Sequence, residues 1–112
     1  MSLTCDGSGP ARAPGLGRRG YVQTIRVVVS GRVQGVGFRA WTERRARELN
    51  LSGWVRNLGD GTVEAMFHGP AHKVDEMIGH CRRGPAHARV EVLERFEETE
   101  APAPGFLIRP GA

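Results

Sequence analysis

The sequence predicts an α+β sandwich of the split βαβ, ferredoxin-like kind, in the order β-α-β-β-α-β with a short closing strand. Three observations carry that expectation. Strand-like segments, apolar at every second residue, and helix-like segments, apolar every three or four, follow one another in that order. The two middle strand-like segments are joined by "LGDG" (58–61), whose glycines can take the positive φ of a hairpin turn. Each helix-like segment is apolar on one side only, so two helices on one face of an antiparallel sheet bury both stripes at once.

Along the chain, 24–30 places Ile25, Val27 and Val29 on one face of a first strand. The stretch 31–39, "GRVQGVGFR", is a glycine-rich turn leading into a helix over 38–49. Phe38, Trp41, Ala46 and Leu49 give that helix a rough apolar stripe, Glu43 and Arg47 an i,i+4 pair, and Asn50 a left-handed C′ residue. Segments 53–57 and 62–68 form the hairpin, the latter with Val63, Ala65 and Phe67 on one face. Pro70 opens a second helix, striped by Val74, Met77, Ile78 and Cys81, and Gly84 and Pro85 close it. A strand over 89–96, an acidic loop "EETEAPAP" and the closing "GFLIR", with Phe106 and Ile108 facing one way, complete the chain.

A length of 112 residues, 39% of them apolar, favours one domain over 21–112 with a modest core. Residues 1–20 are rich in Gly, Pro and Ala and are expected to be a disordered tail; they lack the apolar h-region of a secretory signal. No apolar run approaches membrane-spanning length. The net charge of +4 hints at anionic partners, but Arg12, Arg18 and Arg19 concentrate much of it in the tail. Cys5 and Cys81 form no disulfide framework, which fits a reducing cytoplasm.

The chemistry is expected in the glycine-rich turn. "GVGFRA" (35–40) fits a dinucleotide-binding fingerprint, but the next strand enters a hairpin and offers Arg56 and Asn57 where that fold needs an acid. No Gly-Lys-Ser/Thr follows, so the turn is not a Walker A loop either. What it shares with both is physical. Glycines allow successive backbone N–H groups to turn inward as an anion nest, and the helix adds the positive end of its dipole. Arg39, in the first helical turn, opposes that dipole unless an anion is present, and its planar fork suits a phosphate. At the end of the first hairpin strand, Asn57 offers an acceptor and two donors without a titrating charge, which suits holding a water; a turn cap is the plainer reading.

Elsewhere the signals are weaker. His68 and His72 straddle a strand end and a helix start and lack further ligands, so no metal is expected. His80 beside Arg82 and Arg83 reads as compensation at a helix C-terminus. Glu97, Glu98 and Glu100 read as a solvated loop, and Trp41 and Trp54 as core or core-edge residues.

Taken together, "GRVQGVGFR" and "GWVRNLGDGTVEAMFHG" (53–69) resemble the two signature segments of the acylphosphatase family. The first matches at Gly31, Val33, Gln34, Gly35, Val36, Phe38 and Arg39, the second at Gly53, Trp54, Val55, Asn57, Gly61, Val63 and Gly69, and the likeness runs from Val22 to Arg109. The resemblance implies the ferredoxin-like sandwich and a hydrolase acting on acyl phosphates, the mixed anhydrides of carboxylic acids and phosphate. It implies that Arg39 binds the phosphate with the loop of Val33, Gln34, Gly35, Val36, Gly37 and Phe38, and that Asn57 positions the attacking water. It implies no metal, no cofactor and no covalent intermediate. The expected partner is a small acyl phosphate, with inorganic phosphate or sulfate able to enter the cradle. Neither nucleic acid nor membrane is expected, and a monomer is.

Two rivals stand beside this reading. An RNA-recognition module shares the fold, but no strand here carries its basic-aromatic motif. A non-catalytic or channelling acylphosphatase-like module, as in hydrogenase-maturation carbamoyltransferases, shares the motifs; retention of both Arg39 and Asn57 favours an enzyme.

Overall fold

The computed structural model describes residues 21–111, so the expectations for the tail and for Cys5 lie outside the described residues. Seven elements follow in the expected order: β1 (Val22–Arg32), α1 (Phe38–Glu48), β2 (Ser52–Asn57), β3 (Val63–Pro70), α2 (Ala71–Arg83), β4 (Arg89–Glu97) and β5 (Phe106–Ile108). They build one five-stranded sheet in the spatial order β4-β1-β3-β2-β5. The four long strands pair antiparallel with one another. The closing strand β5 pairs parallel to β2, with Gly53, Val55 and Trp54 beside Phe106, Ile108 and Leu107, so the sheet is mixed at that edge.

Both helices pack on one face. Ile25, Val27, Val29, Val55, Val63, Ala65 and Phe67 from the sheet meet Phe38 and Ala46 of α1 and Val74, Met77, Ile78 and Cys81 of α2, all 2% exposed or less. The period-two and period-3.6 stripes of the sequence are the two halves of this core. Phe67 stacks on Phe106, centroids 5.7 Å apart, which draws the short β5 onto the core. Burial pushes the Cys81 thiol up to about 12, so it behaves as a small hydrophobe. Asn50 has φ 57°, the left-handed C′ geometry expected of it, and the Glu43–Arg47 pair forms at 3.0 Å.

Some residues sit where periodicity did not place them. Trp54 lies on the helix-free face of the sheet, not in the core, between the guanidinium groups of Arg56 and Arg109 at 5.3 and 5.0 Å. Residues alternate sides along a strand, and the inward neighbours Gly53 and Val55 leave Trp54 no choice. Glu98, expected to be solvated, bonds Arg26 at 3.0 Å, and Glu64 bridges Arg26 and Arg56 at 3.2 and 2.8 Å on the same face. Thr42 is fully buried on α1, ahead of the half-buried Trp41 and Leu49, and its hydroxyl has no partner among the described residues.

Candidate active site

Between β1 and α1 the chain makes the glycine-rich turn. Gly35 and Gly37 have φ 75° and 79°, and the residues between and before them do not share the positive sign. That alternation is the backbone condition for a nest of inward N–H groups. A Cβ added at either glycine meets nothing within 4 Å, so glycine serves here for conformation and leaves open space above the loop. Gly37 is the N-cap of α1 and supplies no side-chain cap, and the first turn contains no acid. Among the described residues, no hydrogen bond is donated by the backbone N–H groups of residues 33–37. The loop therefore presents free donors at the positive end of a helix, the arrangement that binds oxyanions.

One cleft of about 230 Å³ gathers this loop with the hairpin: it is lined by Val33, Gly35, Gly37, Phe38, Arg39, Ala40, Asn57 and Ile108. Arg39 and Asn57, 18 residues apart in sequence, thus share a cavity because α1 carries the chain back to a strand two places from β1. Arg39 is half-buried and forms no hydrogen bond or ion pair among the described residues, so its fork is available to a ligand. Asn57 ends β2, opposite Val63. Its Oδ1 is buried without a hydrogen-bond partner among the described residues. A turn-capping asparagine spends that oxygen on a backbone N–H; this one does not.

Two predicted loop residues do not line the cleft. Val36 packs against the core, and Gln34 turns its amide to the carbonyls of Leu58 and Thr62 at 2.8 and 2.9 Å. Two lining residues were not expected there. Ala40 follows Arg39 on the first turn of α1, and Ile108 arrives on β5. Period two had put Ile108 on the same side as Phe106, but only the β2–β5 pairing brings it beside Asn57. The chain beyond β5 stays close: a Cβ on Gly111 would lie 3.2 Å from the Asn57 carbonyl oxygen. His68, considered as a ligand in the sequence, instead shares a 2.7 Å hydrogen bond with Thr24.

A family model described as acylphosphatase matches residues 25–108. An acylphosphatase of Rubrobacter xylanophilus is 52% identical over 99 residues, covering 88% of this chain and 90% of the relative. Two solved structures share the fold. The acylphosphatase of Coxiella burnetii superposes with a TM-score of 0.75 at 35% identity, over 79% of this chain and 93% of that one. The acylphosphatase of Bacillus subtilis does so at 0.74 and 31%, over 79% and 98%.

Proposed function

The chain belongs to the acylphosphatase family and hydrolyses acyl phosphates, and we propose that it does so with Arg39 and the 33–38 loop holding the phosphoryl group while Asn57 places the water. The observation that carries the assignment of roles is the shared cleft: the loop with its free N–H groups, the unpaired guanidinium of Arg39 and Asn57, whose amide oxygen has no hydrogen-bond partner among the described residues, line one cavity.

The substrate is already activated, because its leaving group is a carboxylate. What remains for the protein is to hold the phosphoryl group, spread its charge and place a nucleophile in line. The loop amides and the α1 dipole receive the equatorial oxygens, and Arg39 adds a bidentate charge as negative charge develops. With the Asn57 carboxamide turned into the cleft, its oxygen accepts a hydrogen bond from the water and aims the water's lone pair at phosphorus. The water oxygen bonds phosphorus as the bond to the carboxylate oxygen breaks. The water proton passes to a phosphoryl oxygen, so products are a carboxylate and inorganic phosphate and no protein base is required. Among the described residues no group of His, Cys, Asp and Glu is placed to hold a metal ion. The apolar part of the cleft, Val33, Ala40 and Ile108, is left to face the acyl chain.

We further propose a monomer acting on free acyl phosphates in the cytoplasm. No helix of the described residues is long and apolar enough to cross a membrane, and Cys81 is a free thiol. The test is phosphate release from acetyl and benzoyl phosphate with EDTA present. Arg39→Ala and Asn57→Ala are each expected to lose on the order of a thousandfold in kcat/KM, about 4 kcal/mol of transition-state stabilisation. A folded parent that releases no phosphate would leave only the channelling or binding rival, and EDTA-sensitive turnover would overturn the metal-free scheme.

A further inference from the structure

We propose that Gln34 is a positioning residue: its amide clamps the phosphate loop to the Leu58–Thr62 turn and so sets the distance between the bound phosphoryl group and Asn57. The inference rests on the role of Asn57 proposed above, and it gives Gln34 a task other than touching phosphate.

Gln34 Nε2 donates to the carbonyl of Leu58 at 2.8 Å and to that of Thr62 at 2.9 Å. Both N–H groups of the amide are thereby used, and the remaining side-chain oxygen is an acceptor that a phosphate oxygen repels. Gln34 therefore has nothing to offer the anion through its side chain, and it is absent from the lining of the cleft. Its two acceptors are the carbonyls that close the hairpin turn. The Thr62 carbonyl also accepts from Leu58 N–H at 2.9 Å, and the Leu58 carbonyl from Gly61 N–H at 3.2 Å. These two residues flank the Asn57–Val63 pair, the last of the β2–β3 ladder. Gln34 thus grips the hairpin immediately beyond the residue that carries the water-holding oxygen.

No other hydrogen bond joins residues 33–37 to the hairpin among the described residues. Asn57 Oδ1 has no partner to hold it, so the place of that oxygen is inherited from the backbone on which it stands. The β1–β3 ladder holds that backbone as far as the Val29–Val63 pair, and beyond it the hydrogen bonds that reach the loop itself come from one side chain. Misplacing a reacting group by about 1 Å costs on the order of a hundredfold in rate, so a single clamp of this kind is enough to matter. The fold itself depends on it less, because each carbonyl keeps its backbone donor when Gln34 is replaced.

The experiment compares Gln34→Met, Asn57→Ala and the double variant with the parent, measuring kcat and KM on acetyl phosphate and inhibition by inorganic phosphate. Methionine fills the same space and donates nothing. Gln34→Met is expected to lose on the order of 10- to 100-fold in kcat, with KM and the phosphate inhibition constant unchanged within about twofold. On the Asn57→Ala background the same substitution is expected to change kcat no further, because the oxygen it positions is gone. An unchanged kcat in Gln34→Met, a phosphate constant that weakens in step with kcat, or losses that multiply in the double variant overturn the proposal. A fully active Asn57→Ala overturns the role of Asn57 and this inference with it, whereas a slow Asn57→Ala beside a fast Gln34→Met overturns the clamp alone. If Gln34→Met fails to fold by circular dichroism, Gln34→Asn, one methylene too short to span both carbonyls, carries the same expectations.

Discussion

Replacing Asn57 by alanine separates stability from activity in a way that a turn cap never does. The side chain makes no hydrogen bond among the described residues, and its Oδ1 is shielded from water. A buried acceptor left unsatisfied costs the folded state about 1–3 kcal/mol. Alanine removes that cost, loses no bond, and gives back part of the gain through the contacts of the missing carboxamide. The net expectation is a variant as stable as the parent or up to about 2 kcal/mol more stable, and a rise of 1 kcal/mol lifts Tm by about 4–8 °C in a domain of this size. The same substitution removes the group proposed to aim the water, so kcat is expected to fall on the order of a thousandfold. Thermal unfolding followed by circular dichroism, run beside phosphate release from benzoyl phosphate, reads both quantities on one preparation. A loss of more than about 1 kcal/mol with activity retained refutes the reasoning, since that is the signature of a residue capping the hairpin. A gain in stability with a loss in rate is the signature of a polar group kept unsatisfied for its substrate.

Other outcomes follow from the same geometry. Gly37→Ala forces a Cβ onto φ 79° with no steric clash nearby, so it is expected to cost about 1–2 kcal/mol in stability and to weaken inhibition by inorganic phosphate; unchanged phosphate inhibition would remove the nest from the mechanism. Thr42→Val deletes a second buried atom that has no partner among the described residues without changing shape, and about 1 kcal/mol of added stability with unaltered kcat is expected; a lower Tm would show that the hydroxyl has a partner after all. Asp60, in the hairpin turn, has its carboxyl pKa lowered from 3.8 because the Thr62 hydroxyl donates to it at 2.6 Å and the Thr62 N–H at 3.0 Å. A depressed folded-state value stabilises above the unfolded pKa and is lost as pH falls through the folded one. Asp60→Asn is therefore expected to lower stability at neutral pH, where that contribution is fully present, to flatten the profile below about pH 4, and to match the parent once both are acidified, which urea unfolding at a series of pH values checks.

Much of the architecture was legible from the chain because each helix and long strand carries its own period. The stripe of Val74, Met77, Ile78 and Cys81 and the alternation of Val63, Ala65 and Phe67 report which side of an element is buried, whatever it packs against. The glycine turn was legible too, since Gly35 and Gly37 adopt a backbone that most residues avoid and stand where a strand becomes a helix. Arg39 and Asn57 were readable as residue types suited to an anion and a water.

What only the tertiary structure decided is proximity. No local pattern says that β5 runs parallel to β2, and that pairing alone places Ile108 beside Asn57. The side of the sheet that Trp54 takes was decided by which of its neighbours faces the helices, and the burial of Thr42 by how α1 rolls on the strands below it. Gln34 sits inside the glycine-rich loop in sequence, yet its amide serves the hairpin 24 and 28 residues away. A side chain bonded to a backbone carbonyl leaves no trace in its partner's identity, because every residue has such a carbonyl. The sequence could thus specify elements and chemistry, whose signals are local, while the joining of loop to hairpin became visible only once the sheet had brought the two together.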